Sequence, residues 1–395
     1  MPKSTKQRKA VALLVETSNA YARGLLEGIA EYQRERDNWS IFLPEQERGA
    51  APPTWLRSWK GDGVIARIET PVIAHSVSRL RVPIVDLSSS RGIKNVPWVE
   101  TDDAAIAKLA FEHLYERGFR QFAFCGPQGF NWSKWRCEHF ESECRRAEVE
   151  VQSFQTESPF RSHRTNSAHD QLVAWLKSLP KPVGMLCAYD IQAQIVLDIC
   201  RNLGIPVPER IAVVGVDNDA ILCDLCHPSL TSIEPDARGA GYAAAKLLDQ
   251  LMNSRGRVLR TTNTRARQAT SLLLKPIGIV QRQSTEVTAV SDSNVAEAIR
   301  FIRNHACDGI QVSDVLFHVA RSRRSLESQF LKATGKTPHE MILSVRLSRV
   351  HQLLTQSDLT LEEVADRCGF EHPEYMSVVF KRHFGSSPGR FRRNR

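Results

Sequence analysis

The feature that most constrains this chain is a change of pattern near residue 283. Before it, short apolar segments of strand length alternate with amphipathic segments of helical period. After it we find no convincing strand pattern, and helical periodicity is broken only by Gly, Pro and Ser. Alternating strands and helices predict parallel sheets covered by helices, whereas the strandless region predicts a separate all-α domain.

Residues 10–280 carry the alternating pattern. Six apolar segments are predicted to be buried strands: Ala10–Val15, Gly63–Ala66, Pro83–Asp86, Gln121–Cys125, Val183–Cys187 and Ile211–Val216. Five amphipathic segments are predicted to be the intervening helices: Tyr21–Gln33, Asp102–Arg117, Ser133–Arg146, Ile191–Leu203 and Asp236–Met252. Because one sheet rarely uses so many residues, we expect two sheets with the chain crossing between them.

We divide the chain into four parts on this basis. They are a basic leader at 1–9, an α/β domain at 10–283, a polar linker at 284–293 and a helical domain at 294–395.

Composition and the N-terminus limit the function class. No apolar run approaches the roughly 20 residues of a membrane helix, and the basic leader precedes only six apolar residues. We therefore expect a soluble cytoplasmic protein with no signal peptide and no membrane partner. Nine irregularly spaced cysteines fit a reducing compartment. The net charge of +9, with six Lys or Arg and no acidic residue in 380–395, points to a polyanionic partner.

The helical domain contains a first helix-turn-helix pattern. Val312, Val315 and Val319 have helical spacing, and Ser322 then follows as an N-cap whose hydroxyl accepts from free amides of the next turn. That second helix turns Leu326 and Phe330 inward and ends at Gly335. Its outer face is predicted to contact bases through Ser322, Arg323, Arg324, Glu327 and Ser328.

The pattern recurs 372 − 322 = 50 residues later. A first helix with Leu361 and Val364 precedes the turn Cys368-Gly369-Phe370, and a second helix begins at about Pro373, with Met376, Phe380 and Phe384 inward. The predicted DNA-contacting residues are His372, Glu374, Tyr375, Ser377, Lys381 and Arg382. A long helix at 338–355 would hold the two recognition helices for successive major-groove faces, about 34 Å apart. The alternative is a helical bundle with solvated faces, but the repeat and the basic tail favour DNA binding.

This region resembles the AraC/XylS-type regulators. The shared motifs are G-x-T-P at 335–338, V-A-x-x-x-G-F at 364–370, F-K-x-x-x-G at 380–385 and S-P-x-x-F-R at 387–392. The resemblance implies two helix-turn-helix units in one chain. It is weaker in the first unit, where Leu331 stands at a position that is usually basic.

The N-terminal region resembles the LacI/GalR-type effector domain, which has the two-lobed periplasmic-binding-protein fold. VETDDAAIAKLAFEHLYERGFRQFAFCGP at 99–127, VVGVDND at 213–219 and HPSLTSIEPDARGAGYAAAKLL at 227–248 carry this resemblance. A LacI-like sensor before AraC-like helices is similar to the layout of the xylose-operon regulators, and so are FIRNHACDGIQV at 301–312 and VQRQST at 280–285. The resemblance implies a xylose-dependent activator that binds DNA as a homodimer and acts together with RNA polymerase.

Candidate sugar ligands follow from chemistry and from the resemblance together. Strand ends in parallel sheets bind ligands, and a pentose needs carboxylates, an amide, an arginine and an aromatic face. The candidates are Tyr21, Trp132, Trp135, Arg136, Asp190, Asp217 and Asn218. Three of these residues have a specific structural alternative: Asp190 as a helix cap, and Tyr21 and Trp135 as core residues.

Other chemistries are poorly supported. Cys223-Asp-Leu-Cys226-His227 spells the c-type haem motif, but we expect no export, and no second ligand pair at zinc spacing follows, so we predict no cofactor and no metal. Gly24 and Gly28 form no phosphate-binding loop. A sugar-active enzyme using Asp190 and Asp217 or a cytoplasmic sugar-binding protein stays open as a different class. So does the same architecture sensing another sugar or acting as a repressor.

Overall fold

A computed structural model describes residues 8–156, 166–253, 271–286, 292–357 and 359–393. The chain divides into two compact units, Met1–Val207 with Ala212–Glu286, and Pro208–Ile211 with Val287–Arg395.

The first unit has two sheets, one in each lobe. The first-lobe sheet has the order β2-β1-β3-β4 and is parallel throughout, with β1 Lys9–Leu14, β2 Trp39–Phe42, β3 Gly63–Ala66 and β4 Ile84–Asp86. A separate parallel pair joins β5 Val99–Thr101 to β11 Leu272–Leu274.

The second-lobe sheet has the order β12-β10-β9-β8-β6-β7, in which β12 runs antiparallel to β10. Its strands are β6 Gln121–Pro127, β7 Glu150–Thr156, β8 Val183–Cys187, β9 Ile211–Val216, β10 Thr231–Glu234 and β12 Gly278–Val280. The helices of this unit are α1 Ala20–Arg36, α2 Pro71–Ser78, α3 Asp103–Glu116, α4 Asn131–Arg146, α5 Asn166–Ser178, α6 Asp190–Asn202, α7 Ala220–Leu225 and α8 Ala237–Asn253.

The predicted α/β class is confirmed, and β3, β8 and β9 begin and end at the predicted residues. The strands that the pattern missed are explained by their position, length or composition. β2 and β7 lie at sheet edges and are largely exposed, and β5, β11 and β12 have only three residues each. β10 is buried, but its sequence TSIE contains no apolar run.

Ser284 and Thr285, the first two residues of the predicted linker, belong to the first unit. Ser284 and Thr285 are fully buried within the first unit, and the Ser284 hydroxyl donates to the Val213 carbonyl at 2.6 Å. Their polarity is therefore explained by buried hydrogen bonds rather than by solvent exposure.

Residues 292–357 and 359–393 of the second unit contain helices and no strand. Its helices are α9 Ser293–His305, α10 Val312–Val319, α11 Arg323–Thr334, α12 Pro338–Gln356, α13 Leu361–Arg367, α14 Pro373–Phe384 and α15 Pro388–Arg393. One core is built on α9, α10, α11 and the start of α12; a second uses the rest of α12 with α13 and α14. Both predicted helix-turn-helix units are thus present.

Two details differ from expectation. Ser322 occupies the N-cap position of α11, but its side chain makes no capping hydrogen bond. Phe384, predicted to face inward, is 37% exposed and covers Phe380 at a ring distance of 4.5 Å.

Two helical glycines, Gly28 and Gly241, allow α1 and α8 to pack closely. A Cβ on Gly28 of α1 would lie 1.9 Å from the Arg238 carbonyl oxygen, and one on Gly241 of α8 would lie 1.9 Å from the Leu25 carbonyl oxygen. The two backbones approach so closely that no larger residue fits either position.

We therefore expect Gly241→Ala to lower the free energy of unfolding of the first unit by about 1–3 kcal/mol, because the new methyl group forces α1 and α8 apart. All seven tryptophans lie in this unit, so their fluorescence in urea reports its unfolding. Gly278→Ala is the control, since a Cβ there meets no atom within 4 Å. Equal unfolding midpoints for the two variants would contradict the packing role.

Candidate functional site

A cavity of the first unit lies between its two lobes, at the carboxyl ends of strands. It has a volume of about 460 Å³, including its open mouth. Arg67 directly follows β3, Leu87 follows β4 and Asp217 follows β9. This is where ligands bind in parallel α/β sheets.

Four of the seven predicted ligand residues line this cavity: Tyr21, Trp132, Arg136 and Asp217. Trp135, Asp190 and Asn218 are not among the residues that line it.

Asp217 has an unusual backbone and a carboxylate that accepts no hydrogen bond from the residues described. Its φ is 112°, a conformation that side-chain-bearing residues rarely adopt, and its amide donates to the Ile233 carbonyl at 3.0 Å. Burial raises the pKa of Asp217 to about 6, opposed by Arg136, Arg48 and Arg67. Strain of this kind is concentrated at binding sites, so the carboxylate is a strong candidate to accept from a ligand.

Arg136 is fixed by its surroundings. Its Nε donates to Asp103 Oδ1 at 2.7 Å and its Nη1 to the Ala188 carbonyl at 2.5 Å, and it is 5% exposed. Burial raises the pKa of the Asp103 carboxyl, although Arg136 opposes the shift. The guanidinium carbon lies 5.2 Å from the Trp132 ring centroid, so the pair presents one polar and one aromatic surface.

A second set of charges lies in the first lobe. Arg67 pairs with Glu16 and, at 2.6 Å, with Glu69. Arg48 holds Glu69 with two hydrogen bonds of 2.8 and 2.9 Å. Asn19 donates to Glu16 at 3.0 Å and caps α1. These pairs compensate the buried arginine charges.

Aromatic rings form two walls of the cavity. Trp132 meets Tyr189 edge-on at 5.6 Å, and no described residue accepts from its indole Nε1. Tyr21 lies under the Arg67 guanidinium at 5.3 Å, and burial raises the pKa of its hydroxyl. Such faces suit the apolar side of a sugar ring, and the indole N–H suits a hydroxyl.

Asp190 has a structural role, but not that of the helix cap that was the alternative, because Tyr189 is the N-cap residue of α6 and makes no side-chain cap. It is 2% exposed and accepts from the Ser232 hydroxyl at 2.6 Å, the Asp219 amide at 2.8 Å and the Cys223 thiol at 3.5 Å. Burial, and then the charge of Asp217, raise its pKa to about 8. Asp190 therefore ties β10 to the segment after Asp217.

Asn218 and Trp135 are likewise engaged outside the cavity lining. Asn218 donates to Glu234 at 3.1 Å and accepts from Arg282 at 3.0 Å. Trp135 lies 5.7 Å from the Arg91 guanidinium.

Eight lining residues are not among the predicted ligands: Asn19, Arg48, Arg67, Leu87, Glu100, Thr101, Asp103 and Tyr189. Arg67 immediately after a buried strand and the acidic run at 100–103 were signals that strand-end reasoning could have used. Arg48 lies in a segment with no periodic pattern, so no sequence signal marked it.

The candidate DNA surface lies on α11 and α14. Ser322, Arg323, Arg324 and Ser328 are exposed and Glu327 is half-buried beside Arg323, to which it is bonded at 2.8 Å. On the second helix His372, Glu374, Tyr375, Lys381 and Arg382 are exposed and Ser377 is half-buried. Leu326, Phe330, Met376 and Phe380 are buried, as the inward spacing predicted.

Cys223 and Cys226 are buried at α7, and the described residues hold no group of three or more metal-ligating side chains. Within the same part of the chain, no helix has the length and apolarity needed to cross a membrane.

Family models match three segments: an XylR N-terminal domain at residues 10–104, a periplasmic binding protein-like domain at 111–285 and a helix-turn-helix domain at 318–394. The xylose operon regulatory protein of Escherichia coli (strain K12) is 32% identical, over 98% of this chain and 97% of its own length. That of Haemophilus influenzae (strain ATCC 51907 / DSM 11121 / KW20 / Rd) is also 32% identical, over 99% of this chain and all of its own.

Solved structures agree. A structure described as the xylose-binding transcription activator xylR has a TM-score of 0.80 and 32% identity, covering 98% of each chain. A periplasmic binding protein/LacI transcriptional regulator from Alkaliphilus metalliredigens QYMF, complexed with D-xylulofuranose, has a TM-score of 0.54 and 21% identity, over 70% of this chain and 98% of its own, and supports the fold of the first unit alone.

The fold and these matches define a transcription regulator with a LacI-like sensor and AraC-type DNA-binding helices. Within that class, the chain belongs to the family of the xylose operon regulatory proteins.

The contrast between the two carboxylates can be tested by stability. Asp190→Ala should lower the unfolding free energy of the first unit by about 2–4 kcal/mol, because three buried donors lose their acceptor. Asp217→Ala should change it by less than about 1 kcal/mol, since no described donor depends on it. Urea unfolding followed by tryptophan fluorescence compares the variants, and a larger loss for Asp217→Ala would reverse the assigned roles.

Proposed function

We propose that this protein is a sugar-responsive transcription activator that binds D-xylose in the inter-lobe cavity and DNA through α11 and α14. The observation that carries the proposal is the unpartnered Asp217 carboxylate beside Trp132 and Arg136, in a chain similar over its whole length to xylose operon regulatory proteins. Action in the cytoplasm, as a homodimer and with RNA polymerase, belongs to the same proposal.

The charges of the cavity favour a neutral polyol. Arg48, Arg67 and Arg136 are each already paired with a carboxylate, which leaves Asp217 as an additional acceptor. A sugar hydroxyl donates to such a carboxylate, whereas a sugar phosphate or sugar acid would meet its repulsion. The Trp132 ring face and indole N–H complete the requirements of a pentose.

A continuous hydrogen-bonded path supports coupling between the cavity and the chain segment that leads toward the second unit. α3 begins at Asp103, which lines the cavity, and carries buried His113 three turns later. His113 Nε2 lies 2.8 Å from Thr285 Oγ1, which lies 2.8 Å from Thr231 Oγ1 of β10. Movement of α3 on ligand binding would therefore displace residues 281–286 through these hydrogen bonds.

The proposal predicts that sugar shifts DNA affinity through Asp217. Asp217→Ala should weaken xylose binding about ten- to a hundred-fold, since each carboxylate–hydroxyl bond contributes roughly 1.5–3 kcal/mol. Asp217→Asn should fall in between. Sugar-free DNA binding should be nearly unchanged, because this residue lies in the other unit from α11 and α14, and only the sugar-induced shift should disappear.

Calorimetric titration with xylose and a panel of pentoses and hexoses identifies the sugar. Operator DNA selected from random sequences is then titrated with wild type and folded variants, with and without saturating sugar. If wild type binds no pentose, the proposed effector is wrong. If Asp217→Ala responds to xylose at wild-type concentrations, the carboxylate is not a ligand.

A second prediction separates base recognition from backbone contact. Arg324 is exposed in the first turn of α11, and Lys381 is exposed in the last turn of α14. Arg324→Ala should cost about 1–3 kcal/mol on the selected site and relax preference at one or two bases. Lys381→Ala should weaken all sequences alike and reduce the salt slope by about one.

Competition with single-base variants of the site, repeated at several salt concentrations, measures both effects. Equal losses on selected and scrambled DNA for Arg324→Ala would exclude base recognition by that residue.

A further inference from the structure

A second, outer cavity lies against the same inter-lobe cleft. It has a volume of about 1200 Å³, including open solvent, and is bordered by Glu69, Thr70, Ser78, Phe130 and Asn131. Hydroxyls, an amide and an aromatic ring are the groups that bind polyols, so its chemistry would suit a further sugar residue.

Arg48 lies between the two cavities. Its guanidinium carbon is 4.7 Å from the Phe130 ring centroid, on the outer side, and 5.0 Å from the Trp132 ring centroid, on the inner side. Arg48 itself lines the inner cavity, and its partner Glu69 borders the outer one. The side chain belongs to the first lobe and both rings belong to the second, so the contact also spans the cleft.

The guanidinium is held firmly in that position. The side chain of Glu69 is 5% exposed and accepts two hydrogen bonds from Arg48, at 2.8 and 2.9 Å, while Arg67 donates to the same carboxylate at 2.6 Å. Displacing Arg48 would break a bidentate ion pair and two cation–π contacts at once.

We propose that Arg48 determines the size of the effector by closing the inner cavity at one sugar residue. The inference rests on the proposed sugar site and deepens it: a monosaccharide binds, and a linked second residue would need the space that the guanidinium fills. Specificity then comes from a built-in clash against the larger ligand.

The test titrates the full chain with xylose and with xylobiose, its β-1,4-linked disaccharide, by calorimetry. Wild type should bind xylobiose at least about a hundredfold more weakly than xylose, because the clash is unrelieved. In Arg48→Ala, the opened passage joins the cavities, and xylobiose should bind within about tenfold of xylose. Arg67 still compensates Glu69 in this variant, and tryptophan fluorescence in urea checks that it is folded. Arg48→Met is the second variant. Its side chain is of similar length but has no guanidinium, so it should give a partial gain in xylobiose affinity.

Arg79→Ala is the control, since Arg79 is an exposed arginine of the first lobe outside both cavities. It should leave both affinities unchanged. The size filter is wrong if wild type binds xylobiose as tightly as xylose, or if neither folded Arg48 variant gains xylobiose binding. If wild type does not bind xylose at all, the proposed effector is wrong. Failure of the size filter and failure of the proposed function are therefore distinguishable.

Discussion

The buried ion pairs of Arg67 are the interaction on which the first-lobe side of the cavity depends. Taking a guanidinium out of water costs several kcal/mol unless it is compensated. Burial lowers the pKa of Arg67, but Glu16 and Glu69 outweigh it and the net pKa is raised. Burial likewise raises the pKa of Glu69, yet Arg67 and Arg48 hold it at about 2, so the Arg67–Glu69 pair of this buried cluster stays charged at neutral pH. Through Glu16 this cluster fixes the start of α1, and through Glu69 it fixes the arginine that reaches the second-lobe aromatics.

On the second-lobe side of the cavity, two neighbouring carboxylates, those of Asp190 and Asp217, differ in their hydrogen bonding. Asp190 accepts hydrogen bonds from the Ser232 hydroxyl, the Asp219 amide and the Cys223 thiol, and these bonds fix the backbone after β9. That backbone carries Asp217 at a φ of 112° with its carboxylate free of described donors. The Asp190 carboxylate is thus satisfied by buried donors, whereas the Asp217 carboxylate faces the cavity with no described donor, as the proposed sugar site requires. The consecutive residues of β10 serve different ends, because Ser232 holds Asp190 while Thr231 holds Thr285.

The sequence predicted what depends on local pattern and missed what depends on long-range contact. β8 and β9 are uninterrupted apolar runs, and α11 and α14 have inward apolar spacing and glycine ends, so these were foreseen. Asp217 was foreseen because it directly follows a strand. Asp190 also follows a strand, and only its three donors, brought from positions 29 to 42 residues away, distinguish its role. Arg48 could not be foreseen, since its partners come from a different strand end and from the other lobe.

Within the second unit, α12 joins the two small hydrophobic cores, because it contributes residues to both. Met341 and Ile342 pack into the first core, and Leu347, Val350 and Leu354 into the second, so one helix of 19 residues, about 28 Å long, belongs to both. Near its middle, Arg346 donates to the Ala306 carbonyl at 2.7 Å and the Ile310 carbonyl at 2.8 Å, which ties the first core to the point where the second begins. A shared rigid helix fixes the spacing between α11 and α14. If α11 and α14 bind DNA as proposed, that spacing, rather than any single contact, determines whether both helices can reach successive turns of a major groove that repeats at about 34 Å.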